Sequence, residues 1–377
     1  MINKIFFLII IFFLTIYKIY TEPVKNLKIT NSIPSFNDKK ISTSLTFENK
    51  NKATDLFILD LKVNPILCKA RNKINCNLKI KTPFSSNMNY WDTQVILPKD
   101  KLTIDLDLDL DLDNLEEAGD VLSFDIKYIP YGPNQDNTKY KYYQIVVPIE
   151  SDINIKIQQE KINWRSIDNV GELLSIKTPI LTRDQQLENI LNRYVKNNYK
   201  KGDIVCIAES ALAIMQNRYI INYNLEIGIF AKILSRFFNH LSSLATPGGL
   251  QTLINEIGIM KLIYAGSIGI LLKLIGIKGW FYRTAGFQAK LIDDVSGTLP
   301  PYDKSIVLGP NNLNNIISDI YQKTNIKLAV VDVNDLKKVD ILGSHKNCDN
   351  EFIKKMLVDN PSGNWDEQTP ITILRKN

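Results

Sequence analysis

Histidine is almost missing from this chain: His240 and His345 are the only two in 377 residues. A histidine-rich metal centre is therefore excluded, because such sites need several imidazoles. Cysteine is scarce as well. Cys68, Cys76, Cys206 and Cys348 show neither zinc-ligand spacing nor a disulfide framework. Cys206 sits inside an apolar run and reads as a small core residue, while Cys68 and Cys76 could pair only in an oxidising compartment. Charge of one sign is not concentrated either. The net charge is +6, and Lys200-Lys201 and Lys337-Lys338 are isolated pairs rather than a basic stripe. No nucleic-acid partner is expected.

Long hydrophobic runs are equally rare, and the main one stands at the start. Lys4 precedes a 12-residue apolar run over residues 5–16, followed by Tyr17, Ile19 and Tyr20. A basic start and a short apolar stretch fit a signal peptide, yet no Ala-x-Ala-like cleavage site follows. With the interfacial tyrosines added, the segment also fits an uncleaved anchor, and a buried N-terminal helix is the third reading. Membrane association through residues 1–22 is the expectation. Lys18, Lys25 and Lys28, against Lys4 alone, favour a cytoplasmic body. A second apolar run, Leu262 to Leu272, spans eleven residues between Lys261 and Lys273. That is too short to cross a bilayer, so it reads as a buried helix, with Gly266 and Gly269 permitting close packing.

What is present divides into two textures. Residues 24–150 carry short β-type runs separated by turn residues: Leu27 to Ile29, Ser42 to Phe47, Asp55 to Val63, Asn77 to Ile80, Thr93 to Leu97, Val121 to Tyr128 and Tyr140 to Pro148. This spacing predicts an all-β sandwich. Within it, residues 103–113 alternate strictly, with aspartate at 105, 107, 109, 111 and 113. Strand carboxylates two residues apart stand about 7 Å from each other and do not converge as calcium ligands must. A solvated strand face is the expectation.

The second half alternates strands with helices. Ile204-Val-Cys-Ile-Ala208 opens onto Glu209-Ser210, Ser305-Ile-Val-Leu308 onto Gly309-Pro-Asn-Asn312, and Lys327-Leu-Ala-Val-Val331 onto Asp332-Val-Asn-Asp335. Ligands in such folds lie beyond the strands' carboxyl ends. Thr182-Arg-Asp-Gln185 reads as a capping box before a helix carrying Leu187, Ile190, Leu191, Tyr194 and Val195. Asn311 or Asn312 can cap a helix with Leu313, Ile316, Ile317, Ile320 and Tyr321 on one face. The expected architecture is an α/β (mixed α+β) domain over 173–377 and a linker over 151–172. An all-β, sandwich-like domain over 24–150 and the N-terminal hydrophobic segment precede them.

Several strings in the second half carry a family likeness. Lys177-Thr-Pro-Ile-Leu, Lys201-Gly-Asp-Ile-Val-Cys-Ile-Ala-Glu-Ser210 and Arg218 resemble the opening of the coenzyme F420-0:gamma-glutamyl ligase family. Thr284-Ala-Gly286, Leu291-Ile-Asp-Asp-Val-Ser-Gly-Thr-Leu-Pro-Pro-Tyr302, Val307-Leu-Gly-Pro310, Val330-Val-Asp-Val-Asn-Asp-Leu336 and Asn360-Pro-Ser-Gly-Asn-Trp-Asp-Glu-Gln-Thr-Pro370 are similar to its cyanobacterial-type homologues. The likeness spans about 173–377 and not the β half.

The resemblance implies a ligase that uses GTP and Mg²⁺ or Mn²⁺ to add glutamate to a carboxylate acceptor, and a homodimer. Asp293, Asp294, Asp332 and Asp335 are the implied metal ligands. Ser210, Arg218, Asn311 and Asn334 are the implied nucleotide- or substrate-binding residues, and Asp366-Glu367 is a further acidic pair. The chain departs from the family in two motifs. Thr284-Ala-Gly-Phe-Gln288 replaces Asn-Ala-Gly-Ile-Asp, and Asp332-Val-Asn-Asp-Leu336 replaces Asp-Ser-x-Gly-Arg. Two other readings therefore stand beside the ligase: a non-catalytic protein that binds a nucleotide or small acid, and a membrane-anchored interaction protein.

Overall fold

The computed structural model describes residues 23–37, 40–68, 76–83, 91–110, 121–132, 139–148, 163–167, 170–239, 242–293, 299–334, 337–361, 363 and 367–376. The N-terminal apolar run, Asp294, Asp335, Asp366, His240 and the side chains of Cys68, Cys76 and Asn334 lie outside this set. Two compact units divide the chain between Val147 and Pro148.

Among the described residues the first unit is β apart from a single 3-10 turn at Pro23–Asn26. Its strands are β1 (Leu27–Asn31), β2 (Ser35–Asn37), β3 (Lys40–Asn49), β4 (Leu56–Cys68), β5 (Cys76–Lys81), β6 (Gln94–Ile96), β7 (Lys101–Leu110), β8 (Val121–Tyr131) and β9 (Lys141–Pro148). One sheet runs β1-β3-β7-β5 with β2 added to β3, and the other runs β6-β4-β8-β9. The seven runs read from sequence each fall on one of these strands. Alternation explains the core: Leu102, Ile104, Leu106 and Leu108 of β7 are buried, as are Ile41, Leu45 and Phe47 of β3. Phe47 meets Tyr128 of the second sheet edge-on at 5.4 Å, which ties the sheets together.

The other face of β7 is polar but matched. Because β7 lies between β3 and β5, Asp107 falls between Lys40 and Lys81. Its carboxylate accepts from Lys81 at 2.8 Å and from Ser42 at 2.7 Å. Asp105 accepts from Ser44, and Asp109 pairs with Lys79. The aspartates at 105, 107 and 109 are thus held by neighbouring strands rather than gathered around a cation. Asp107 differs from the expected solvated face, since it is buried.

The second unit is built on a six-stranded mixed sheet. The strands of the unit are β10 (Arg165–Ile167), β11 (Gly171–Ile176), β12 (Ile204–Ala208), β13 (Tyr219–Ile221), β14 (Ser305–Val307), β15 (Leu328–Asn334), β16 (Lys338–Ser344) and β17 (Ile371–Lys376), of which β13 and β14 form a separate pair. The sheet order is β10-β11-β17-β12-β15-β16. Within it β12 and β15 are parallel, and the remaining neighbours are antiparallel. Helices are α1 (Leu187–Ile190), α2 (Glu209–Met215), α3 (Ile229–Leu234), α4 (Pro247–Ile257), α5 (Ile259–Leu274), α6 (Trp280–Ala285), α7 (Gln288–Leu291), α8 (Leu313–Thr324) and α9 (Asn350–Leu357).

Both faces of this sheet are covered where β12 and β15 pair, so residues 204–208 and 328–331 are apolar throughout. Val205, Ile207, Leu328 and Val330 pack with α1, α2 and α8, while Cys206, Ala329 and Val331 pack with α9. A third cluster joins α4 to α7 with Ile306 of β14.

Several expectations need correction. The strand at 305–307 is not in the main sheet but pairs antiparallel with β13. Strands β10 and β11 occupy the later part of the expected linker, so position 173 falls inside a strand. The capping box is half formed: Gln185 Oε1 accepts from the Thr182 N–H at 3.0 Å, yet the helix begins at Leu187 with no side-chain cap. Asn312 precedes α8 in a left-handed conformation (φ 55°) and does not cap it through its side chain. The helix over Leu262 to Leu272 forms but is not buried, because only Leu262 and Ala265 of α5 are enclosed. Gly269 does pack closely, against Phe281, while Gly266 has nothing near it.

Candidate functional site

The site is set by the parallel pair. Register matches Ala208 of β12 to Val331 of β15, the last parallel pair, so Glu209 and Asp332 stand just beyond the parallel pairing, where β12 ends and β15 runs on beside β16. Alternation gives Asp332 the same face as Val330, and β16 brings Asp340 directly opposite it. Like charges opposite one another repel, and Lys338 relieves this by pairing with Asp340 at 2.5 Å. Burial raises the pKa of Asp332, opposed by Lys338 and reinforced by Asp340. Asp293 is held against β14 by a reciprocal backbone bridge to Val307.

Glu209 is the residue that sequence reading missed. It opens α2 with 7% of its surface exposed, and its Oε2 has no hydrogen-bond partner among the described residues. Burial, with Asp293, Asp332 and Asp340 adding negative potential, pushes its pKa up to about 9. A carboxyl desolvated among other carboxyls stays protonated at neutral pH. The signal was visible, since an acid directly after an apolar strand is costly to bury unpaired. The same pattern singles out Asp332.

Ser210 follows Glu209 inside α2 and is partly exposed. Arg218 and Asn311 belong to a second arrangement, a clamp on the loop after β14. Arg218 Nε donates to the Gly309 carbonyl at 2.6 Å, and its Nη2 pairs with Glu256 at 2.7 Å. Gln288 Nε2 donates to the Gly309 carbonyl and to Asn311 Oδ1, each at 3.1 Å, while its Oε1 accepts from the Gly309 N–H. Gln216 exchanges hydrogen bonds with the Asn311 backbone in both directions. Gly309 admits this because a Cβ there would stand 2.5 Å from Leu291 Cδ1. Gln288 therefore has a structural role, holding the Gly309 loop.

No group of three or more His, Cys, Asp or Glu converges on a metal position among the described residues. Asp294, Asp335 and the Asn334 side chain lie outside them. The donor chemistry at the strand ends nevertheless fits a hard divalent cation, since it is carboxylate oxygen and includes the orphaned Oε2 of Glu209. Glu367 of the further acidic pair is exposed.

Comparison with known proteins gives one family. Residues 28–151 match the N-terminal Ig-like domain of F420-0:gamma-glutamyl ligase. That match falls on the first unit, whereas the likeness read from sequence lies in the second half. No curated protein matches the chain. Among solved structures, the yeast GGA1 GAE domain is similar at 10% identity and a TM-score of 0.21, covering 33% of this chain and 92% of that one. A FixG-related protein from Vibrio parahaemolyticus is similar at 12% identity and a TM-score of 0.21, covering 33% and 95%. The YadV chaperone is similar at 14% identity and a TM-score of 0.22, covering 41% and 68%. Nothing further follows from scores this low.

Proposed function

Starting from an Ig-like domain of the F420-0:gamma-glutamyl ligase family at residues 28–151, we propose that the second unit is a divergent, metal- and GTP-dependent amide-forming ligase. The observation that carries this reading is Glu209: a buried, unpartnered carboxyl beside Asp332 at the ends of a parallel strand pair. Asp293, Asp294, Asp332 and Asp335 with Glu209 would hold Mg²⁺ or Mn²⁺. The ion would neutralise the phosphates of GTP.

In such a reaction the γ-phosphoryl group passes to an acceptor carboxylate, giving an acyl phosphate and GDP. The amine of glutamate then attacks the acyl carbon, an amide forms, inorganic phosphate leaves and the amine loses a proton. Glu209 bears on the first event. It must ionise to ligate a cation, so binding should release about one proton near neutral pH. Ser210 and Asn334 lie close enough in sequence to these acids to meet the nucleotide.

One observation favours a non-catalytic nucleotide- or acid-binding protein instead. Gln288, Arg218 and Asn311 spend their polar atoms on the Gly309 loop and on Glu256.

The test is thermal unfolding of the full chain with Mn²⁺. The ion should raise the melting temperature of the second unit, by about 2.7 kcal/mol of stability at a hundredfold excess over Kd. Glu209→Gln and Asp332→Asn should each remove most of that rise, and GTP should add a shift only with metal present. If neither Mg²⁺ nor Mn²⁺ stabilises the protein, the ligase reading fails. If metal and GTP bind but no glutamate is joined to a carboxylate acceptor, the binding reading stands.

A further inference from the structure

The largest feature that the strand-end site does not use is an exposed apolar face on α5. Met260, Ile263, Tyr264, Ile270, Leu271 and Leu274 are each between 46% and 78% exposed. At 100° per residue they fall within an arc of about 120°, a single stripe along one side of the helix. The opposite side is what packs: Leu262 and Ala265 are buried, and Gly269 lies against Phe281. Beyond the helix, Ile275 is 68% exposed and Trp280 is 37% exposed.

The charges beside this stripe are of one sign. Residues 257–292 contain five basic residues, Lys261, Lys273, Lys278, Arg283 and Lys290, and no acidic one. All five are exposed, and none is in an ion pair among the described residues. Lys261 and Lys273 sit on opposite flanks of the stripe, about 120° from its centre. There their stems can lie along apolar surface while their ammonium groups reach outward. Arg283 stacks over Trp280 at 5.5 Å.

We infer that α5 and the segment through Arg283 form a docking surface for an anionic lipid bilayer, lying in its interface. Charge complementarity selects this occupant. A helix with an apolar stripe, flanking cations and an aromatic at its edge binds negatively charged headgroups and inserts its apolar side. A second copy of the chain fits worse, because a twofold contact through this face would set the same unpaired cations against each other.

The helix lies on the membrane and does not cross it. Sixteen residues at about 1.5 Å each span about 24 Å, short of the hydrocarbon core. Helix α4, which meets α5 at a bend of 110°, is buried over much of its length. No single described helix is long and apolar enough to cross a membrane. This surface is distinct from the N-terminal apolar run and needs a test that reads it locally.

Trp280 provides that reading. The full chain is mixed with vesicles whose acyl chains are brominated, made either of phosphatidylcholine alone or with 30% phosphatidylserine, and tryptophan emission is recorded. The wild type should be quenched more than Trp280→Phe, and only in the anionic vesicles. Lys273→Glu/Lys278→Glu, at exposed positions, should lose at least half of that difference. Equal quenching of wild type and Trp280→Phe would overturn the proposal. So would a difference that survives in neutral vesicles or in the charge-reversed variant. A lipid-independent dimer that Leu271→Glu dissociates would assign the face to a second copy instead.

Discussion

Two carboxyl groups in this protein are perturbed in opposite directions, and each gives stability a different pH dependence. Glu209 has a pKa raised to about 9 by burial and by neighbouring acids. Between the unfolded value and the folded one, the native state holds a proton that the unfolded state has released. Its contribution is therefore fully present below about pH 4.5 and is lost as pH rises toward 9. Glu209→Gln keeps the shape and removes the ionisation. It should match the wild type at pH 5 and exceed it by about 1–3 kcal/mol at pH 9. Urea unfolding at several pH values checks this, and parallel pH profiles would show that Glu209 is not desolvated as described. Asp107 runs the other way, held down to about 2 chiefly by Lys81, with Ser42 and Lys40 assisting. Its contribution is present above the ordinary carboxylate value and lost as pH falls through about 2. Asp107→Asn should cost about 1–2 kcal/mol at pH 7, a gap that closes in acid titrations monitored by circular dichroism.

At the scale of elements, the Gly309 loop shows how side chains far apart in sequence hold one turn. Gln288 makes three hydrogen bonds to Gly309 and Asn311, so Gln288→Ala should destabilise the second unit by about 1–3 kcal/mol. Amide exchange at Gly309 should accelerate with it; unchanged exchange would mean that Arg218 and Gln216 suffice. None of this clamp was legible in the sequence, because it joins side chains up to 95 residues apart. The strands of the first unit were legible, since a single buried face writes an alternating pattern. The partner of each strand was not: Ser305–Val307 reads like the other buried strands of the second half and instead lies outside their sheet, paired with Tyr219–Ile221. Helix α5 misled for a related reason. An apolar run states that a surface avoids water, not whether protein covers it. Asp332 could be read because it is an acid directly after an apolar run, and Glu209 has that same position.

For the whole molecule the question is where the second unit begins. An expected start at Leu173 would remove β10 and the first two residues of β11, which pairs with the last strand along its length. It would also remove Trp164, whose ring lies 4.0 Å from the Arg375 guanidinium. That guanidinium is the partner of Asp203, which is 3% exposed and accepts from Arg375 at 2.7 Å. An aromatic face over a partly buried ion pair contributes about 0.5–2 kcal/mol, and two missing strand segments expose an edge of the sheet. A chain from Pro148 to Asn377 should therefore unfold cooperatively, with a higher melting temperature than one from Leu173, which should aggregate. Limited proteolysis of the full chain should cut first within 149–162, leaving Trp164 on the second fragment. Calorimetry of the two shortened chains measures the difference directly. Equal melting temperatures would mean that the first two strands of the sheet are dispensable and that the unit begins after them.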